Sequence, residues 1–183
     1  RQVLAYSMGA RIGQQLIIRH PELIAKAVLA GPNPGGSHQD PAARDVEAEL
    51  NNPNVPGSDK IALTFPDNAE GRKAQAEVLG RIRAAVKAGT APDDFTTSKQ
   101  TIARLDRART TLWNANNSNF TDLRNVRVPV LITDGRSDVV DPPRNSVMIA
   151  NQIPFSWLAF FEGGHSFLFQ SYRRFAATVN AFL

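Results

Sequence analysis

The sequence predicts an α/β chain built on a parallel sheet, and three observations carry that prediction. Four short apolar runs, at Gln2 to Ala5, Ala25 to Gly31, Val128 to Thr133 and Phe155 to Phe161, are rich in the β-branched and aliphatic residues of buried strands. Helical apolar spacing separates and follows these runs, and strands joined through helices pair in parallel by right-handed crossovers. Between the second and third runs, from about Ala42 to Asn125, the pattern is helical with no convincing strand, which marks an insertion. A chain of 183 residues with 42% hydrophobic content suffices for one such domain carrying an insertion.

The first strand ends at Ala5, and Arg11 to Arg19 carries apolar residues at helical spacing, with Ile12 and Leu16 on the stripe and Ile17 and Ile18 widening it. Ser7 therefore sits on a strand-to-helix turn. Such a turn forces its central residue towards positive φ, and Ala5, Gly9 and Ala10 are expected to give the room. The helix stops at His20-Pro21, because a residue before proline disfavours the helical region. AKAVLAG is the second strand, and GPNPGGSHQDP is a loop dense in Gly, Pro and Asn. In the insertion, Ala76, Leu79, Ile82 and Val86 mark one apolar stripe and Ile102, Leu105 and Leu112 another, both read as packing faces. VRVPVLITDG gives the third strand, closed by Gly135, and Pro142-Pro143 opens a helix running through Val147 to Asn151. FSWLAFF is the last strand, EGGH its terminal loop, and Phe167 to Leu183 a closing helix with Phe175, Val179 and Phe182 on one side.

Composition narrows the chemistry. With no cysteine there is no disulfide or thiolate metal site, and His20, His38 and His165 lie far apart with no paired-ligand spacing. No metal or other cofactor is expected. The net charge of +4 is not clustered: Arg72, Lys73, Arg81, Arg83, Lys87, Arg104, Arg107 and Arg109 spread along two helices. That distribution reads as a solvated face rather than a nucleic-acid surface, the other reading being a positive rim that favours anionic substrates. The apolar runs are too short to span a bilayer, and no segment has the layout of a signal peptide. The compartment is not legible, with the cytoplasm as the default.

In parallel sheets, sites lie beyond the carboxyl ends of the strands, and Ser7, Asp138 and His165 all fall there. A hydroxyl nucleophile needs a base to take its proton, and an imidazole base needs an acceptor to fix its tautomer. His165 follows two glycines that let the backbone bring its ring to the serine; a plain surface-loop histidine is the alternative. Three aspartates compete for the acid. Asp134 has a turn to cap and Asp141 a helix starting at Pro142, which leaves Asp138 without a local duty and makes it the choice. His20 and His38 read as structural.

AYSMGARIGQQLIIRHPELIAKAVLAGPNPGG resembles the nucleophile elbow, following helix and next strand of the α/β-hydrolase superfamily, and PVLITDGRSDVVDPP with EGGHSFLFQ resembles its acid and histidine segments. The resemblance covers the chain except the insertion, which occupies the place of that superfamily's cap. It implies a core at residues 1–40 and 126–183 with a helical cap at 41–125, Ser7 as nucleophile, Asp138 as acid, His165 as base, and the Met8 backbone N–H as an oxyanion donor. Ala5 departs from the G-x-S-x-G pattern, and strain rather than loss of function is expected from its methyl. The strands that precede the elbow in the superfamily are missing, which would leave an edge at Val3 and Leu4 unpaired. The chain is therefore expected to be a fragment, or half of a two-chain enzyme, pairing at that edge with its N-terminal half or with a partner chain.

The function so implied is a serine hydrolase cleaving an ester, thioester or lactone of a small, largely apolar acyl compound. Superfamily dehalogenases and epoxide hydrolases carry aspartate at the elbow, so Ser7 argues against both. Carbon–carbon bond hydrolases and cofactor-free haloperoxidases share the triad, and a non-catalytic binding protein on the same fold is the alternative of another class. Phe65, Trp113, Phe120, Phe167 and Phe169 are candidates to line the pocket, each equally readable as core.

Overall fold

Four strands, β1 (Gln2–Tyr6), β2 (Lys26–Ala30), β3 (Val130–Gly135) and β4 (Ser156–Phe161), pair side by side in chain order and all in parallel. The computed structural model describes residues 1–52, 54–92 and 98–183. β2 and β3 are central and buried, as their aliphatic runs require, whereas β1 and β4 form the edges and leave Leu4 and Trp157 about half exposed.

Helices cover both faces. α1 (Met8–Arg19) and α7 (Pro143–Gln152) pack one side, where Ile17, Leu29, Ile132 and Ile149 share a core cluster. α8 (Phe167–Gln170) and α9 (Tyr172–Phe182) cover the other, where Phe161, Phe167 and Phe175 stack around Val28 and Leu131. The closing helix expected over Phe167 to Leu183 is thus two helices. It breaks at Ser171 (φ −103°, ψ 32°), whose hydroxyl donates to the Glu162 carbonyl. The break lets Phe167 and Phe175 turn towards the same ring of Phe161.

Between β2 and β3 the described residues form α2 (Arg44–Asn51), α3 (Gly57–Ala62), α4 (Ala69–Lys87), α5 (Lys99–Ala108), a π-helical turn (Arg109–Trp113) and α6 (Ser118–Asp122), as the helical pattern predicts. The two apolar stripes do not become buried faces. Leu79, Ile82 and Val86 are only half-buried and Ala76 is exposed, while Leu105 is 39% and Leu112 70% exposed. α5 runs without a break into the π-turn, and only Ile102 of its stripe is half-buried. Among the described residues, no helix is long and apolar enough to cross a membrane.

Candidate active site

Ser7 occupies the N-cap of α1 with φ 54° and ψ −121°, and it is the one non-glycine residue with positive φ among the described residues. Its N–H donates to the Ala30 carbonyl at 2.9 Å and its carbonyl accepts the Ala10 N–H at 2.8 Å, so strand and helix both pin the strained residue. A serine at an N-cap ordinarily accepts from the helix with its own side chain. Here it makes no such bond: Ser7 Oγ stands 2.7 Å from His165 Nε2 instead. The Met8 and Gly9 N–H groups, in the first turn of the helix that Ser7 caps, donate to no acceptor among the described residues.

His165 is buried in the loop after β4. Its Nδ1 stands 2.6 Å from Asp138 Oδ2, and the other carboxylate oxygen of Asp138 accepts the Val140 N–H (2.8 Å) and the Asp141 N–H (2.9 Å). With Nδ1–H donating to Asp138, Nε2 is left as the acceptor for the Ser7 hydroxyl. Burial lowers the imidazole pKa, but the charge and hydrogen bond of Asp138 act against it and the net result is a raised value. The structure thus brings Ser7, His165 and Asp138 into one hydrogen-bonded line at the carboxyl ends of β1, β3 and β4.

Small residues make this approach possible. At Gly31, just after β2, φ is +55° and a Cβ would come within 3.0 Å of His165 Cε1. At Gly135 a Cβ would meet the Gly164 carbonyl at 2.1 Å, so the β3 terminus and the histidine loop can close only over a bare backbone. Gly9 behaves differently from expectation: a Cβ there would meet nothing within 4 Å, so the room for the turn comes from elsewhere. It comes from Gly13, where a Cβ would lie 2.9 Å from the Ala5 methyl. The glycine one turn into the helix accommodates the alanine that departs from the elbow pattern.

The competing aspartates take other roles. Asp134 accepts the Gly135 N–H at 2.8 Å and the Ser146 hydroxyl at 2.5 Å; burial first, then the neighbouring Asp138, pushes its pKa up to about 9. Asp141 does not cap the helix expected at Pro142. Pro142 is itself the N-cap and α7 begins at Pro143, which carries Asp141 beyond reach of the first helical amides; its carboxylate pairs with Arg11 (3.2 Å) and Asn33 (2.9 Å). His20 ends α1 in solvent and His38 stacks on Phe120 at 4.2 Å.

The five aromatic pocket candidates are not gathered into one lining. Phe167 is fully buried in the core under α8, and Phe120 packs against the opposite core. Phe65 is buried at the end of α3, Trp113 donates to Asn33 Oδ1, and Phe169 presents its edge to Tyr6 from an exposed position. The cavity beside the acid loop, about 290 Å³, is mixed in character: Arg11, Asn33, Arg109 and Asp141 line it together with Leu50 and Val140. Sequence reasoning also missed Tyr6, whose hydroxyl donates to the His165 carbonyl at 3.1 Å and whose pKa is raised by burial above all, so that it stays a neutral donor. No spacing in AYSMGA signals that bond.

Residues 2–172 match the family described as alpha/beta hydrolase fold. Among solved structures, the chain is similar to an alpha/beta fold family hydrolase from Bacillus anthracis, with 20% identity over 100% of this chain and 66% of that one (TM-score 0.73). It is similar to a meta-cleavage product hydrolase from Pseudomonas fluorescens, with 18% identity over 99% and 63% (TM-score 0.72). An enol-lactonase from Burkholderia xenovorans aligns at 20% identity over 98% and 64% (TM-score 0.69). At these identities the likeness is one of fold, and the chain spans just under two thirds of the length of those proteins. No curated protein matches it.

Proposed function

The chain belongs to the alpha/beta hydrolase fold family, and from that premise we propose that it is the part of a serine hydrolase that carries the catalytic triad Ser7, His165 and Asp138. The observation that carries this reading is the Ser7 side chain, which leaves its helix uncapped and faces His165 Nε2 at 2.7 Å.

The reaction follows from those contacts. Ser7 Oγ attacks the substrate carbonyl while His165 Nε2 takes its proton, and Asp138 holds the imidazole through Nδ1–H and stabilises the imidazolium. The carbonyl electrons move onto oxygen, where the Met8 N–H stabilises the developing charge. Collapse of the tetrahedral intermediate expels the leaving group, which receives the proton from His165, and leaves an acyl-Ser7. Water, deprotonated by the same imidazole, then releases the acid and restores the serine. The substrate class is an ester, thioester or lactone; the enol-lactonase among the similar folds supports the last. The acyl compound is small and largely apolar, and the mixed lining of the cavity beside the acid loop, where Arg11 and Arg109 meet Leu50 and Val140, is compatible with polar substituents on it.

The test uses the full-length protein and a fluorophosphonate, with intact mass and peptide mapping. A single adduct on Ser7, absent from Ser7→Ala, together with multiple turnover of a generic ester, is the expected result. An adduct without turnover would favour the binding protein, and no adduct would overturn the reading.

A further inference from the structure

The helical segment between β2 and β3 grips the histidine loop through Thr64. The Thr64 carbonyl accepts the Ser166 N–H at 2.8 Å, and the two hydroxyls stand 2.7 Å apart. The Thr64 hydroxyl is also 2.6 Å from the Ile61 carbonyl, within the turn that ends α3. A hydroxyl has one proton. Thr64 gives its proton to the Ile61 carbonyl, so Thr64 Oγ1 must accept from Ser166, and the direction of the chain is fixed. On the other side of His165, Gly164 lies so close to Thr64 that a Cβ there would come to 2.6 Å from the Thr64 carbonyl. Both neighbours of His165 therefore rest on one residue of the insertion, while the His165 carbonyl is held from the nucleophile strand by Tyr6.

We propose that Thr64 is a positioning residue for His165: by bonding Ser166 and packing on Gly164, it sets the reach of the imidazole between Ser7 and Asp138. The proposal rests on the reading of Ser7 and His165 as nucleophile and base. Contacts of 2.7 Å and 2.6 Å at the two ring nitrogens leave little tolerance, since a loop displacement of about 1 Å takes a hydrogen bond out of range. The insertion thereby acts on the chemistry through the loop backbone and needs no contact with the substrate to do so.

Four full-length proteins decide the matter: wild type, Thr64→Val, Thr64→Ser and Ser166→Ala. The readouts are the rate of fluorophosphonate addition to Ser7 and the kcat and KM for a p-nitrophenyl ester. Thr64→Val and Ser166→Ala are each expected to slow labelling and lower kcat roughly five- to twentyfold, the scale of one hydrogen bond felt in the transition state, with KM within about twofold. Thr64→Ser, which keeps the hydroxyl, stays within about twofold of wild type in both. Wild-type labelling by Thr64→Val and Ser166→Ala, an equal loss in Thr64→Ser, or a change confined to KM would overturn the proposal. If Thr64→Val does not fold, Ser166→Ala decides by the same readouts. Failure of the wild type to label is a separate result, and it removes the reading of Ser7 before any variant is made.

Discussion

Asp134 and Asp138 are both buried, and their partners set them apart. Asp138 faces the His165 ring with one oxygen and two backbone N–H groups with the other. Asp134 has a hydroxyl, one N–H and no cation, and burial together with the Asp138 charge keeps it protonated at neutral pH. A carboxyl whose folded pKa lies near 9 holds a proton that the unfolded chain releases above about 3.9. The native state therefore loses stability as pH climbs from there towards 9, and no further beyond it. Asp134→Asn keeps the Gly135 bond through its Oδ1 and can donate to Ser146 Oγ through its Nδ2, without the titration. Urea unfolding across pH should show it more stable than wild type near pH 8, with the gap closing towards pH 4, and its kcat should stay within about twofold. Asp138→Asn should instead lower kcat by roughly three to four orders of magnitude, because the amide offers the imidazole the wrong partner. Turnover lost in Asp134→Asn and kept in Asp138→Asn would reverse the assignment. Elimination led to Asp138 on premises that the structure keeps only in part: Asp134 does hold its turn, but Asp141 caps no helix and Asp138 itself accepts two loop N–H groups; the sequence also hid the Arg11–Asp141 pair, which joins residues 130 apart and has no spacing signature.

The packing of α1 on β1 shows what patterns along a chain leave out. The strand and helix were legible from apolar runs, and the helix starts at Met8, directly after the turn, because the Ser7 carbonyl accepts the Ala10 and Arg11 N–H groups. The pairing of Ala5 with Gly13 was not legible, since only the crossing of helix over strand brings the two together. A methyl at position 13 would lie 2.9 Å from the Ala5 methyl and 3.0 Å from Leu29 Cδ2. Two effects then oppose each other: Gly→Ala inside a helix gains about 1 kcal/mol, and overpacking of this kind costs about 1–3 kcal/mol. The contacts are close enough for overpacking to win, so Gly13→Ala should lower Tm in calorimetry. Adding Ala5→Gly removes the closer contact and should recover part of the loss, because the end of the Leu29 side chain can turn aside. A rise in Tm for Gly13→Ala alone would show that the strand, and not the helix glycine, accommodates Ala5.

At the scale of the molecule, the question is how a helical segment whose longer helices contribute few fully buried side chains stays on the sheet. Among the described residues, no side chain of α2, α3 or α5 is fully buried and α4 buries only Gly71, while Phe65 after α3 and Leu123 after α6 supply the segment's buried apolar contacts. A polar attachment stands beside these contacts, centred on Asn33, which is itself buried. Its Oδ1 accepts the Gly35 N–H (2.7 Å) and the Trp113 indole N–H (3.3 Å), while its Nδ2 donates to Asp141 (2.9 Å) and Gln39 (3.2 Å). One side chain thus joins the insertion, the loop after β2 and the loop that carries Asp138. Apolar periodicity predicted packing stripes in this segment because hydrophobic spacing is what a pattern can register, whereas side chains meeting across loops leave no period. Asn33→Ala leaves the Trp113 and Gly35 donors without their acceptor, at a cost of about 2–4 kcal/mol. Because that cost falls on the attachment, hydrogen exchange should rise more in α4 than in β2. Equal acceleration in both would mean that sheet and insertion open as one unit. In that case the grip of Thr64 on the histidine loop, rather than Asn33, would be the contact that makes the opening of the insertion an opening of the whole.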